Sequence, residues 1–206
     1  MDRHIIINIG RQFGSGGKAV AKILSSRLGI PLYDNELITE AAKRSGFSPE
    51  LFLRSDEKRN IFSMYSFFTT LNYDPGTNSI GDNELFKIQS DTIRGIAQKE
   101  EAIFVGRCSN YILRDMDCLD VFITAPLEKR IDRVSEREGI SREEARSFIL
   151  KKEKARQTYY NYFTFGDWGV ASNYDMCMDS TLLGIEGCAD VILDVVSRKW
   201  SLQQKP

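Results

Sequence analysis

The chain has 206 residues, of which 42% are hydrophobic, and its formal net charge at pH 7 is -1. This length and composition predict one domain with an ordinary buried core. The near-neutral charge argues against a nucleic-acid partner. No apolar run reaches the roughly 18 residues of a membrane span, and no signal-peptide core precedes the first predicted strand. We therefore expect a cytoplasmic protein without a membrane partner, whose oligomeric state the sequence leaves open.

Five short apolar segments alternate with helical patterns along the chain. The first, residues 4–9, is a nearly continuous run of β-branched residues, which is typical of a parallel strand covered on both faces. The other four segments are residues 30–33, 102–105, 119–125 and 174–178. This alternation predicts an α/β fold with a mostly parallel sheet of about five strands and helices on both faces.

A glycine-rich turn lies between the first strand and a helical stretch over residues 19–28 that ends at Gly29. Glycines allow backbone N–H groups to point inward as a nest for phosphate oxygens, and the helix directs its positive end to the same place. A lysine at a helix N-terminus opposes the helix dipole, so bound phosphate would explain it. The alternative is a turn that only packs the helix against the strand. The turn consists of Gly14, Ser15, Gly16, Gly17 and Lys18.

This turn matches the phosphate-binding motif G-x-x-x-x-G-K-[ST] imperfectly. Gln12 stands at the first glycine, and Ala19 follows the lysine. The hydroxyl that helps to hold Mg²⁺ in that motif is therefore missing at Ala19, and also at Val20.

A densely charged segment covers residues 128–156, with ten Lys or Arg against seven Asp or Glu. We interpret it as two exposed helices broken near Gly139, the second of which begins with Ser141 as N-cap and Glu144 completing a capping box. One reading is a solvated pair of helices with surface ion pairs. The other is a basic lid that closes over phosphates.

The four cysteines show neither C-x-x-C pairs nor the spacing of a metal site, and we expect reduced thiols: Cys108, Cys118, Cys177 and Cys188.

Motifs in the same order resemble the cytidylate kinase-like family over about residues 5–196. The opening strand, glycine turn and helix are followed by Gly29-Ile30-Pro31-Leu32-Tyr33-Asp34, as in bacterial cytidylate kinases. Val105-Gly106-Arg107 resembles their Gly-Arg-Asp segment at the nucleotide site. Residues 119–133 resemble the strand and arginine helix that lead into their lid, and residues 175–186 resemble their closing strand, turn and helix.

The resemblance implies a single P-loop NTPase-type kinase domain that uses ATP and Mg²⁺. Its core would be residues 1–45, 82–127 and 170–200, with an acceptor-side insert at about 46–81 and a helical lid at about 128–169. The implied ATP phosphate site is Gly14, Ser15, Gly16, Gly17, Lys18 and Ala19, and the implied catalytic residues are Lys18, Arg130, Arg133 and Arg156.

On the acceptor side the resemblance implies Asp34, Asn35 and Arg107, with Asp34 also holding Mg²⁺ through water. Asp34 could instead be only a helix N-cap. Asn35 replaces a serine that contacts the base in cytidylate kinases, Glu40 replaces an arginine for the monophosphate, and Cys108 replaces the acid of Gly-Arg-Asp.

These departures predict a poor CMP kinase unless Lys43, Arg44 or Arg107 holds the acceptor phosphate. Three functions therefore stay open: a kinase acting on a nucleotide or another small phosphate acceptor, a nucleotide-binding regulator without turnover, and an interaction module that has lost its site.

Overall fold

A computed structural model describes residues 4–35 and 79–202 of the chain. Most of the expected acceptor-side insert, residues 46–78, lies outside these residues, as do Glu40, Lys43 and Arg44. No helix in the described part of the chain is long and apolar enough to cross a membrane.

The described strands form one five-stranded sheet in which every neighbouring pair is parallel, in the order β2-β3-β1-β4-β5. The strands are β1 (Ile6–Arg11), β2 (Leu32–Tyr33), β3 (Ala102–Val105), β4 (Leu119–Thr124) and β5 (Met176–Asp179). The parallel α/β fold predicted from the sequence is confirmed.

The helices lie between and after these strands. They are α1 (Gly17–Leu28), α2 (Ser79–Ala97), α3 (Ser109–Ile112), α4 (Leu127–Glu138), α5 (Arg142–Thr164) and α6 (Ser180–Leu202), with a 3₁₀ turn at Ala171–Asn173. Gly184, at φ 72° and ψ 174°, interrupts α6 after its first turn.

The first strand begins and ends two residues later than the sequence indicated. Gly10 breaks the apolar run, but its backbone still pairs with Phe122 of β4, and Arg11 pairs with Ile123. A Cβ at position 10 would lie 2.7 Å from the Phe122 ring, so glycine is required there by packing and not by a turn.

Both faces of the sheet are covered, which explains the unbroken apolar run in β1. Ile7 and Ile9 pack against the side that carries α1 and α6. Ile6 points to the opposite cluster, where Phe104 and Tyr160 are buried. Side chains alternate along a strand, so burial on both faces requires apolar residues at every position.

The charged segment forms the predicted pair of helices. Gly139, at φ 66°, ends α4, and Ser141 and Glu144 form the expected capping box at the start of α5. The two helices share a small apolar cluster that includes Ile131 and Ile149. The far end of α5 enters the main core, where Tyr160 is 6% exposed.

Candidate functional site

The carboxyl ends of the parallel strands bring polar residues from distant parts of the chain to one edge of the sheet. Arg11 ends β1, Asp34 follows β2, Gly106 follows β3, Thr124 ends β4 and Asp179 ends β5. Ligands bind outside this edge in open parallel α/β sheets. Lys18, Asp34 and Arg107, which were singled out in the sequence, lie at or next to these strand ends.

The connection from β1 to α1, residues 12–16, is called the glycine loop below. Gly14 and Gly16 have left-handed backbones, with φ of 79° and 89°, and Gly16 is the N-cap of α1. The backbone N–H groups of Gly14, Gly16 and Gly17 have no acceptor among the residues that the structure describes. Amides without a partner at the positive end of a 12-residue helix form a site for an anion.

Gln12, which departs from the phosphate-binding motif, anchors the glycine loop to the end of β4. Its side-chain Oε1 accepts a hydrogen bond from the Thr124 hydroxyl and another, at 3.2 Å, from the Ala125 amide. The backbone N–H of Gln12 donates to the Ile123 carbonyl at 3.0 Å. Gln12 therefore has a structural role that the comparison with the motif did not predict.

Three predicted lid arginines donate to backbone carbonyls in the glycine loop and just before it. Arg156 Nη1 donates to the Arg11 carbonyl at 3.0 Å and Arg130 Nη1 to the Phe13 carbonyl at 3.3 Å. Arg133 Nη1 donates to the Ser15 carbonyl at 3.1 Å. The three acceptor carbonyls belong to alternate residues, so the arginines tie this stretch of backbone to α4 and α5 at three points.

The Arg130 side chain is buried and is compensated by Glu153 of α5. The Nη1–Oε1 distance is 2.7 Å, and the two side chains are 6% and 16% exposed. Arg130 Nε also donates to the Ala125 carbonyl at 2.9 Å, and the Phe13 amide donates to Glu153 at 3.3 Å. Glu153 was not singled out in the sequence, where it was one acid among many on a charged helix.

Ser180, the first residue of α6, completes the support of the loop. Its buried hydroxyl donates to the Ser15 carbonyl at 2.6 Å and accepts from Arg133 Nη1 at 2.9 Å. Asp179 accepts from the Thr181 hydroxyl and from the Thr181 amide, both at 2.7 Å, and these two hydrogen bonds lower its carboxyl pKa. Asp179 therefore caps the start of α6.

Lys18 and Asp34, two predicted site residues, meet beside the glycine loop. Lys18 Nζ lies 2.7 Å from Asp34 Oδ2, and their side chains are 55% and 15% exposed. Asp34 directly precedes Asn35, the first residue of a helical segment. The pair joins the start of α1 to the end of β2, and the lysine is open enough to be shared with a bound anion.

The resemblance described above implies a bound Mg²⁺, and the side chains around the anion site can be compared with what this ion requires. Asp34 supplies one carboxylate beside the anion site, while Ala19 supplies no hydroxyl. Mg²⁺ in nucleotide sites keeps several waters and takes one or two carboxylates in addition to substrate phosphates. The donor set fits an ion carried in by a nucleotide, with Asp34 as the residue that would hold it. Residues 4–35 and 79–202 contain no group of three or more metal-binding side chains.

The turn after β3 has an unusual backbone. Gly106, Arg107 and Cys108 all have positive φ, at 78°, 57° and 56°. Non-glycine residues in this conformation cost of order 1 kcal/mol or more each and are concentrated at functional sites. The Arg107 guanidinium carbon lies 5.5 Å from the centre of the Tyr159 ring. Burial raises the pKa of the Cys108 thiol to about 12, although Arg107 opposes the shift, so this thiol is not a nucleophile.

The side of the sheet near β3 also carries a buried amide. Gln89 of α2 is 2% exposed, and its Oε1 accepts from the Tyr159 hydroxyl at 3.2 Å. Its Nε2 has no acceptor in the described part of the chain. Nearby, Phe163 of α5 stacks on Phe86 of α2, with ring centres 4.1 Å apart.

The strand order, the glycine loop between β1 and α1, and the cations around that loop define a P-loop kinase type of α/β protein. Two solved structures share this fold. An uncharacterized protein from Eubacterium ventriosum is 29% identical, with a TM-score of 0.72, over 94% of this chain and 99% of that one. Shikimate kinase from Bacteroides thetaiotaomicron has a TM-score of 0.54 at 12% identity, over 94% and 98%, which shows likeness of fold alone.

The chain belongs to the cytidylate kinase-like family, whose sequence profile matches residues 6–182. A cytidylate kinase from Sulfolobus acidocaldarius is 28% identical over 187 residues, which are 90% of this chain and 91% of that protein. One from Archaeoglobus fulgidus is 26% identical over 208 residues, or 97% and 99%. The family predicted from the motifs is confirmed, and it supports a kinase-type phosphotransferase.

Proposed function

We propose that this chain is an ATP-dependent phosphotransferase of the nucleoside monophosphate kinase type. It moves the γ-phosphoryl group of ATP to a (deoxy)cytidylate-like or other small phosphate acceptor. The observation that carries the proposal is the 2.7 Å contact between Lys18 and Asp34. In this proposal Lys18 is a mobile cation between the anion site of the glycine loop and the residues that would hold the acceptor.

The glycine loop binds the donor phosphates in this proposal. The amides of Gly14, Gly16 and Gly17, which have no acceptor among the described residues, point to phosphate oxygens. Lys18 is shared between Asp34 and the β- and γ-phosphates. Magnesium bound beside Asp34 would neutralise phosphate charge and orient the donor.

Asp34, Asn35 and Arg107 form the acceptor side. Arg107 presents a planar fork that suits a phosphate monoester. Glu40 stands where cytidylate kinases have an arginine for the monophosphate, and Arg107 replaces part of that positive charge. Cys108 contributes no charge because its thiol is protonated at neutral pH.

The reaction exchanges one phosphorus–oxygen bond for another. An oxygen of the acceptor phosphate forms a bond to the γ-phosphorus while the bond to the β–γ bridging oxygen breaks, which gives ADP and the acceptor diphosphate. A dianionic acceptor phosphate needs no proton removed. Positioning and neutralisation of charge are therefore the protein's main tasks.

The lid arginines support the loop in the described arrangement. Arg130 is held by Glu153 and by two carbonyls, so we assign it to positioning. Arg133 donates to the Ser15 carbonyl of the loop, and Arg156 donates to the Arg11 carbonyl directly before it. Their direct contact with the transferred group, and closure of residues 128–169 as a lid over the core, stay predictions.

A nucleotide-binding regulator with little turnover is the second candidate. The observation that favours it is Ala19, which leaves the motif without its magnesium-binding hydroxyl. Such a protein would bind ATP with an intact glycine loop but would release no ADP in the presence of any acceptor.

Replacement of Lys18 tests the proposed function. Lys18→Ala should lower turnover at least about 100-fold, because a cation is lost from the site where charge moves. Lys22→Ala is the matched control, since Lys22 is exposed on the same helix one turn later. Both variants are assayed for ADP release with Mg²⁺ and a panel of CMP, dCMP, UMP, AMP and other phosphate acceptors. Equal activity in the two variants would contradict the role of Lys18.

A further inference from the structure

Arg11, which the sequence analysis did not single out, occupies the space above the first residue of α1. A Cβ built on Gly17 would lie 2.6 Å from Arg11 Cβ and 3.1 Å from Arg11 Cγ. Position 17 has no left-handed backbone that would require glycine. Its lack of a side chain is therefore explained by the stem of Arg11, which crosses it.

The head of the same side chain lies on Gly106, at the end of β3. A Cβ on Gly106 would overlap the Arg11 guanidinium, with the central carbon at 2.9 Å and Nη2 at 3.1 Å. Glycine is thus required at 106 for two reasons: the positive φ of the backbone and the space that the Arg11 side chain occupies. Two glycines from separate segments therefore leave the space through which the Arg11 side chain runs from the end of β1 to the end of β3.

The backbone of Arg11 is fixed as firmly as its side chain. Arg11 pairs with Ile123 in the sheet, and its carbonyl accepts from Arg156 Nη1 at 3.0 Å. The guanidinium is therefore presented from a rigid strand end, which is the arrangement expected of a preorganised charge.

The register of the loop explains why an arginine is needed there. Gly16 is the left-handed N-cap, Gly17 is the first helical residue and Lys18 the second. The sequence alone aligned Gly17 with the last glycine of G-x-x-x-x-G-K-[ST], but the N-cap position of Gly16 moves that register by one residue. With Gly16 as the last glycine, Arg11 stands at the first glycine, Gly17 at the motif lysine and Lys18 at the hydroxyl residue. In this register Lys18 faces the carboxylate of Asp34, and the stem of Arg11 covers the position that lacks a cation.

We propose that Arg11 is a further catalytic residue, whose guanidinium contacts the γ-phosphoryl group of ATP as it passes from the glycine loop to the acceptor. This inference rests on the proposed function. A planar fork with five N–H donors matches the equatorial oxygens of a transferring phosphoryl group, on which charge accumulates. Arg11 and Lys18 would share the work done by one lysine in the standard motif.

The test compares Arg11→Met, which keeps the stem and removes the charge, with Arg11→Lys and the control Arg198→Met. Arg198 is 73% exposed on α6 and paired only with the exposed Asp194 among the contacts described. ATP and ADP dissociation constants are measured by titration calorimetry, and kcat is measured with the best acceptor. Circular dichroism and Tm establish that each variant is folded.

Arg11→Met should weaken ATP binding about tenfold or more while ADP binding changes less than about twofold, because only ATP carries the contacted phosphoryl group. Its kcat should fall about 100-fold. Arg11→Lys, which preserves the charge and serves if the methionine variant does not fold, should lose at least about tenfold in kcat. Arg198→Met should match the wild type.

An ATP preference over ADP that survives in Arg11→Met, or a kcat within about threefold of the wild type, overturns the proposal. If Arg11→Met does not fold, the proposal is overturned by a kcat for Arg11→Lys within about threefold of the wild type. If the wild type phosphorylates no acceptor, the proposed function fails, and the ATP-to-ADP comparison still decides whether Arg11 reads the γ-phosphate.

Discussion

Removal of the Glu153 carboxylate should destabilise the protein strongly, because it leaves the Arg130 charge buried. The two side chains are 16% and 6% exposed and lie 2.7 Å apart. Loss of one partner from a buried ion pair costs about 3–5 kcal/mol. Arg130 retains hydrogen bonds to the Ala125 and Phe13 carbonyls, which offset part of the loss. We therefore expect about 3 kcal/mol for Glu153→Ala.

The assay is urea unfolding followed by circular dichroism, together with a thermal scan. At about 2–4 °C per kcal/mol for a protein of this size, Tm should fall by roughly 6–12 °C. Glu128→Ala is the matched control because its partner Arg142 and Glu128 itself are exposed, at 56% and 63%, and such pairs contribute about 1 kcal/mol or less.

A double variant separates the ion pair from other effects of the substitution. Arg130→Met combined with Glu153→Met removes both charges and should cost clearly less than the sum of the single changes. A loss below about 1 kcal/mol for Glu153→Ala, or strict additivity in the double variant, would refute the view that this pair ties α4 and α5 to the glycine loop.

Three further outcomes follow from local contacts. Gln12→Gly should lower the free energy of unfolding by about 1–3 kcal/mol, since the Thr124 hydroxyl loses its acceptor; a more stable variant would contradict this. In thiol labelling of the native protein, the exposed Cys177 should react first and the buried Cys108 only on unfolding; equal rates would contradict the burial. Burial raises the pKa of Asp120, so its ionisation destabilises the folded state. Asp120→Asn should therefore raise Tm at pH 7, with the gain lost below about pH 4; a gain that persists in acid would be inconsistent with this origin.

The sheet and the loop could be predicted from the sequence because their signals are local. Residues 102–105 form a strand buried on both faces, so each position is apolar. The ends of this apolar run in the sequence therefore coincide with the ends of the strand. The capping box at Ser141 was equally visible, since both of its partners lie within one turn.

The supporting contacts of the site could not be predicted, because they join segments far apart in the chain. Nothing near Glu153 distinguishes it from other acids on α5 until Arg130 and Phe13 are brought against it. The role of Arg11 depends in the same way on empty space at Gly17 and Gly106. A glycine in the sequence indicates that a side chain is absent, but it does not indicate which distant residue occupies the space.

The most direct test of the central claim is an acceptor screen in which phosphorylated products are identified by mass spectrometry. Purified protein is incubated with ATP, Mg²⁺ and each of CMP, dCMP, UMP, AMP and a wider set of small phosphate compounds. The account predicts that at least one acceptor gains a single phosphoryl group, with an equal amount of ADP formed, and that this is lost in Lys18→Ala. Binding of ATP without phosphorylation of any acceptor would contradict the account and would favour the nucleotide-binding regulator.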